Sequence, residues 1–274
     1  DPYTLMRMLK VNILNPLKIL KLSKNKKIKK FFNVSTDKAS SPANMMGASK
    51  RLMEIGLISS KAKVPIIMSR FANVLFSDGS LLYGFKQRLL KNEPIASPKD
   101  IKRYFITPKE SAYLCILSAI IGKRNEIYYP KINNKKNLMS FYEIALKFIR
   151  LNNLIPKICN SEEEARNFIK LNSKKKSNKY WPCFFFKSNT TGEKTEEVFY
   201  SEEDIVDNKK FKDIGIIKLT NNLNEVKKLS KFLKEFSKLE KKKNWKKNDI
   251  SKIVKNALLD INYKDKKKYL SERM

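Results

Sequence analysis

The apolar positions along the chain alternate between helical and extended spacing. From Pro2 to Leu22, Leu5, Met8, Leu9, Ile13, Leu17 and Leu20 recur at helical intervals. That repeat predicts a helix interrupted near Pro16, because proline has no N–H to give to the preceding turn. Lys24 to Lys30 reads as a basic connector, and Phe31-Phe32-Asn33-Val34 as a short strand buried on both faces. Ser41-Pro42-Ala43-Asn44 is a turn that ends in an N-cap, which predicts a helix from Asn44 to about Ser60. Val64 to Met68 predicts the next buried strand, running into a loop through Val74. Ser80 is placed to cap a helix from Leu81 to about Leu90, and Glu110 to Ile121 predicts an apolar helix with Cys115 in the core. Glu126 to Pro130 reads as a strand, Ser140 to Leu151 as an amphipathic helix, and the aromatic run Trp181 to Phe186 as core. Leu223 to Leu239 predicts an amphipathic helix with a lysine-rich outer face, followed at Lys241 to Lys247 by a solvated, partly disordered tail. Uninterrupted apolar strands alternating with helices predict an α/β fold with a doubly wound parallel sheet.

Where the first strand should end, the chain turns polar: Ser35-Thr36-Asp37-Lys38. Charges do not belong inside a strand buried on both faces, so these residues are expected at its carboxyl end, where open α/β sheets bind ligands. The helix that follows carries Met46 and Lys50 one turn apart on one face. An acid, an ammonium and a hydroxyl at a strand end, with a second ammonium on the next helix, form a compact candidate catalytic constellation.

Composition narrows the chemistry. The chain has 274 residues and a net charge of +32, almost all of it from lysines scattered along its length. No aromatic-and-basic recognition motif accompanies them, so the excess reads as compositional bias rather than as nucleic-acid binding. There is no histidine, which excludes His-based triads and argues against a zinc enzyme. Cys115, Cys159 and Cys183 are too few and too far apart for a disulfide framework and fit a reducing compartment. Without an apolar run of about 20 residues to span a bilayer, a cytoplasmic protein is expected.

Two motifs carry a resemblance. Ser35-Thr36-Asp37-Lys38-Ala39 and Asn44-Met45-Met46-Gly47-Ala48-Ser49-Lys50 resemble the STDKA strand end and the N-x-x-[Y/M]-G-A-[ST]-K helix of nucleotide-sugar 4,6-dehydratases of the polysaccharide-biosynthesis family. These belong to the extended short-chain dehydrogenase/reductase enzymes. Most of those enzymes put Tyr where Met46 stands; a branch of the dehydratases has Met. The resemblance implies an NAD(P)-binding Rossmann-like sheet and a smaller C-terminal substrate lobe, with the core in 1–125 and the lobe in 126–218. Beyond residue 218 the resemblance ends, and 219–274 reads as a helical Lys-rich extension. Family members carry a Gly-rich strand–turn–helix ahead of the region matched here. None of the seven glycines in this chain forms G-x-G-x-x-G, which reads as a core lacking that half, in a fragment or split-gene product.

The resemblance also implies roles. Asp37 becomes the acid and Lys38 the base of a dehydration across C5 and C6 of a nucleotide-linked hexose such as UDP-N-acetylglucosamine, after transient oxidation at C4 by NAD or NADP. Thr36, or Ser35 beside it, would bond the C4 oxygen. Lys50 would hold the nicotinamide ribose, with Asn12, Ser35, Arg70, Phe71 and Val74 also towards the cofactor. A thioether at Met46 cannot accept a proton, so Asp37, Lys38 or water must do so. Asn73, Ser80, Arg103 and Glu193 fall in segments that line the sugar-nucleotide pocket, Arg103 reaching the diphosphate; Arg70 reads equally as a structural ion-pair residue. Expected partners are a UDP- or other nucleotide-sugar and a second copy of the chain or its missing N-terminal half. The alternatives are a C4 or C5 epimerase on the same scaffold and a non-catalytic remnant.

Overall fold

A computed structural model describes residues 1–23, 27–131, 138–172, 179–189, 194–242 and 244–258. Glu193, Lys24 to Lys26 of the basic connector, and Lys243 lie outside the described residues. The chain forms two compact units that interleave in sequence. Among the described residues, the first draws on Asp1–Phe71, Lys109–Lys131 and the stretch from Glu197 to Leu258; the second on Ala72–Pro108 and the stretch from Leu138 to Glu196. The units therefore do not follow one another along the chain, as divisions at residues 125 and 218 expect.

The first unit is built on a five-stranded sheet in the order β1 (Phe31–Thr36), β2 (Ile66–Phe71), β6 (Glu126–Pro130), β11 (Ile214–Lys218), β10 (Ile205–Asp207). β1, β2 and β6 run parallel, and β11 and β10 are added antiparallel. Glu126–Pro130 is thus a strand of the main sheet and not of a substrate lobe. Its Ile127, Tyr128 and Tyr129 are all buried, as a parallel strand covered on both faces requires. β1 differs from expectation: it lies at the sheet edge and is only half-buried, with Val34 exposed.

Helices supply the rest of that core. α1 (Pro2–Leu9) runs through a π-helical turn, Lys10–Leu14, into α2 (Asn15–Leu22). The predicted interruption at Pro16 takes this form: the wider turn lets the N–H of Asn15 reach the carbonyl of Lys10, and the chain continues as helix. α3 (Met45–Ile58) is buried along most of its length. Together with α1, α8 (Leu223–Lys242) and α9 (Lys247–Ala257) it forms one apolar cluster, containing Leu9, Ile13, Leu52, Phe232, Phe236, Ile250 and Val254. The stretch expected to be a loose tail is therefore packed: Trp245 lies against this cluster, its ring 5.8 Å from that of Tyr3. A second cluster sets α5 (Pro108–Ile121), through Leu114, on Ile67, Tyr128 and Ile216. Cys115 on α5 is half-buried, not core.

The second unit contains β3 (Asn73–Val74), β5 (Lys102–Ile106) and β7 (Leu138–Ser140) in one small sheet, and β4 (Ile95–Pro98), β9 (Tyr180–Phe186) and β8 (Ile155–Cys159) in another. Here α4 (Leu81–Leu90) and α6 (Phe141–Leu151) bury Leu82, Phe85, Ile144 and Phe148. The remaining helix, α7 (Glu162–Asn172), carries three glutamates in its first turn, where the helix dipole favours them. The aromatic run Trp181 to Phe186 is the middle strand of its sheet, in keeping with a core role.

Candidate active site

The polar motif does lie at the carboxyl end of β1. Thr36 ends the strand in extended conformation, and Asp37–Ala39 close into a single 3-10 turn. Three donors converge on Oδ1 of the buried Asp37: Thr36 Oγ1 at 2.8 Å, the Lys38 backbone N–H at 2.8 Å and Lys38 Nζ at 3.0 Å. The Lys38 side chain retains 20% of its exposure and that of Asp37 5%. Acid and ammonium are thus paired with each other, and either can serve a substrate only when that pair opens. The Thr36 hydroxyl proton points at Asp37, which leaves its oxygen as an acceptor.

The helix behind the turn is fixed by its own cap and by close packing. Asn44 Oδ1 accepts from the Gly47 N–H at 2.9 Å, as an N-cap should. Gly47 lies directly on the turn: a Cβ there would stand 2.5 Å from the Lys38 carbonyl oxygen. Only hydrogen fits here between the helix and the Asp37–Ala39 turn. One turn on, Lys50 Nζ donates to the Val34 carbonyl at 3.1 Å, so the second ammonium returns to the same strand. Burial pushes the Lys50 pKa below the ordinary lysine value, with Glu54 pulling the other way. Met46 stands half a turn beyond the cap with its thioether partly exposed. Asn12, in the π-helical turn, donates from Nδ2 to Ser49 Oγ at 2.8 Å, and Ser49 donates to the Met46 carbonyl at 2.7 Å. Asn12 is therefore tied to the catalytic helix beside Lys50.

Two expected ligand contacts are otherwise engaged. Ser35 is buried, and its Oγ donates to Glu54 Oε1 at 2.6 Å. Arg70 has no exposed surface and binds Glu54 through two parallel bonds, Nε to Oε1 at 3.0 Å and Nη2 to Oε2 at 2.7 Å. Its Nη1 donates to the Phe199 carbonyl at 2.5 Å and lies 3.8 Å from Asp204 Oδ2. Burial alone would lower the Arg70 pKa, but Glu54 holds it above the usual value. Arg70 and Ser35 thus both spend their side chains on Glu54, one through an ion pair and the other through a hydrogen bond. The alternation of the strand explains it: Ser35 and Arg70 are register partners whose side chains share the face covered by α3. Phe71 likewise packs against the Ile67 and Tyr128 cluster.

Asn73, Val74, Ser80 and Arg103 belong to the second unit. Asn73 Nδ2 donates to the Tyr104 carbonyl at 3.3 Å, and Val74 pairs with Ile106. Ser80 caps α4 by accepting from the Tyr83 N–H at 3.3 Å. Arg103 is buried, its Nη1 directed at the carbonyls of Lys102, Lys194 and Thr195. It therefore braces the segment that follows Glu193. Sequence reasoning missed Glu54; its signal is the one-turn spacing Lys50-x-x-x-Glu54, with an acid inside an otherwise apolar helix face.

A family model described as "Polysaccharide biosynthesis protein" matches residues 2–219. The chain belongs to this family. Among characterised or catalogued relatives, it is 31% identical over 129 residues to an uncharacterized membrane protein of Methanocaldococcus jannaschii, covering 45% of this chain and 39% of that protein. It is 30% identical over 144 residues to the capsular polysaccharide biosynthesis protein CapD of Staphylococcus aureus, covering 51% of this chain and 24% of CapD. The solved structure of Pen from Bacillus thuringiensis superposes with a TM-score of 0.57 and 21% identity, over 76% of this chain and 57% of that one. DesIV, a dTDP-glucose 4,6-dehydratase of Streptomyces venezuelae solved with NAD bound, gives 0.50 and 12% over 69% and 57%. The family chain thus shares the Rossmann-like α/β fold of these enzymes while spanning less than two fifths of the two sequence relatives. Among its described residues no helix is long and apolar enough to cross a membrane.

Proposed function

We propose that this family member supplies the catalytic part of a nucleotide-sugar 4,6-dehydratase acting on a UDP-N-acetylglucosamine-like substrate for surface polysaccharide synthesis. One observation carries the reading: an acid and an ammonium, Asp37 and Lys38, are held 3.0 Å apart at a strand end with Thr36 beside them. Removing water across C5 and C6 needs both, a base for the C5 proton and an acid for the departing C6 hydroxyl. An epimerase working only at C4 has no use for the pair.

Lys50, Asn12 and the open carboxyl end of β1 fit the nicotinamide ribose of NAD or NADP. The pyrophosphate has no Gly-rich cradle in this sequence. When bound, the dinucleotide supplies reversible hydride removal at C4. Lys50 Nζ, already hydrogen-bonded to the Val34 carbonyl, would swing to the ribose hydroxyls. The Thr36 oxygen would accept a hydrogen bond from the C4 hydroxyl, whose proton would pass to water as the hydride leaves. Once a proton has passed from Lys38 to Asp37 within the pair, the neutral Lys38 amine would take the C5 proton and the Asp37 carboxyl would give one to the C6 oxygen, which leaves as water, and the hydride taken from C4 would return at C6.

The test incubates this chain, alone and together with a Gly-rich nucleotide-binding half from the family, with NAD and UDP-N-acetylglucosamine. Mass spectrometry then looks for a product lighter by one water. Such a product, lost in Lys38→Ala, supports the reading. A product of unchanged mass but inverted C4 would replace it with the epimerase.

A further inference from the structure

Lys50 and Glu54 are successive-turn neighbours on α3, and each is bonded to one of two successive residues of β1. Lys50 Nζ holds the Val34 carbonyl at 3.1 Å and Glu54 Oε1 takes the Ser35 hydroxyl at 2.6 Å. Two such pins one helical turn apart fix both the height and the rotation of α3 against the strand that ends in Thr36-Asp37-Lys38. The second pin is backed by Arg70, the register partner of Ser35 on β2, whose fork grips both Glu54 oxygens. On its other side Glu54 Oε2 lies 3.7 Å from Arg51 Nη1, and Arg51 Nη2 is 3.0 Å from Glu225 on α8. Apolar packing of a helix on a sheet tolerates small slides and rotations; a buried bidentate pair does not. Nor does a buried ion pair add much stability over apolar residues of equal volume, so its presence argues for geometric specificity.

We propose that Glu54 is the positioning residue of the site, locking the rotation of α3, and with it Lys50, to the catalytic strand end, and linking both to the C-terminal helix α8. The role rests on the reading that Lys50 serves the cofactor, although the coupling itself can be measured without any turnover. The charged groups on the elements around Lys50 are Glu54 and Arg51 on its own helix, Asp37 and Lys38 on the turn, and Arg70 on β2. Of these Glu54 draws most directly on the Lys50 ammonium.

The experiment is competitive acetylation of the full chain at pH 8, with the rate at Lys50 read by peptide mass spectrometry relative to the exposed Lys231. Ser35→Ala and Glu54→Gln are compared with the parent, each checked for folding by circular dichroism. Ser35→Ala keeps every charge and removes only the strand pin; Glu54→Gln also removes the charge. The expected result is a Lys50 rate raised by about threefold or more in Ser35→Ala, where only access to the amine changes, and by more in Glu54→Gln, where the lost carboxylate also lowers the Lys50 pKa. A Glu54 that acted on Lys50 through its charge alone would raise the rate in Glu54→Gln and leave it unchanged in Ser35→Ala. An unchanged rate in folded Ser35→Ala overturns the proposal, and that variant decides alone if Glu54→Gln does not fold. Absence of dehydratase activity with a raised Lys50 rate would reject the proposed reaction and keep the positioning role.

Discussion

Gly47 and Lys38 meet backbone to backbone, with 2.5 Å between the oxygen of one and the place a Cβ would take on the other. Gly47→Ala must therefore push α3 off the catalytic turn. Overpacking of this kind costs about 1–3 kcal/mol, and a lower urea midpoint is the expected result. Gly84, on α4, has open space around its Cβ position. Gly84→Ala should instead stabilise, by about 0.5–1 kcal/mol, because alanine is the better helix former.

The Glu54–Arg70 pair gives an asymmetric mutational signature. Arg70→Met leaves a buried carboxylate without its fork and should cost about 3–5 kcal/mol, whereas the double variant Arg70→Met, Glu54→Leu should recover most of that loss. Denaturation of the two variants in parallel with the parent measures it.

The same pair sets an acid limit. Burial would raise the Glu54 pKa, but Arg70, Arg51 and the Ser35 hydroxyl together hold it below the ordinary 4.5. A carboxylate depressed in the folded state contributes stability that is complete above its unfolded pKa and is lost as pH falls through the folded one. Stability should therefore fall as pH drops below about 4.5, and fall less steeply in the Arg70→Met, Glu54→Leu variant. Glu143, held low by the Ser140 N–H, stays in both proteins and keeps the slope from vanishing. Melting temperatures from pH 3 to pH 6 are the measurement.

For the proposed reaction, Asp37→Asn and Lys38→Ala should each lower dehydration by about 100-fold or more, the range of a lost general acid or base. Lys38 is partly exposed and, among the described residues, makes its side-chain bond to its neighbour alone, so Lys38→Ala should melt close to the parent. A progress curve of the dehydrated product, normalised to folded protein, checks this.

Phe232 lies on α8, beyond the residues that match the family, yet is buried against α1 and α3. Phe232→Ala should cost about 3–5 kcal/mol, while Leu223→Ala, at an exposed position of the same helix, should be nearly neutral. Urea titration separates the two.

Much of this was legible in the sequence. The polar turn that ends β1, the Asn44 and Ser80 caps and the limits of α4 follow from local chemistry, which side chains one to four residues away decide. What did not show was set by distant parts of the chain. Glu126–Pro130 gave a strand but not its sheet, because pairing with Ile67–Ser69 and Ile214–Lys218 is a long-range choice. Arg70 offered a guanidinium that suits either a phosphate or a buried acid; Glu54, sixteen positions earlier, decided between them. α9 carries Ile250, Ile253, Val254 and Ala257 at helical spacing, a signal drowned by the surrounding lysines.

The family match stops at residue 219, whereas the cluster around α3 continues through Ala257. The limit of homology and the limit of cooperative folding are thus different places on this chain. A gene trimmed to the conserved region would cut away one side of a hydrophobic interior and leave Leu52, Ile13 and Leu9 facing water. α3 buries its apolar face against α8 and α9, so removing those two helices would strip it of cover unless something else took their place.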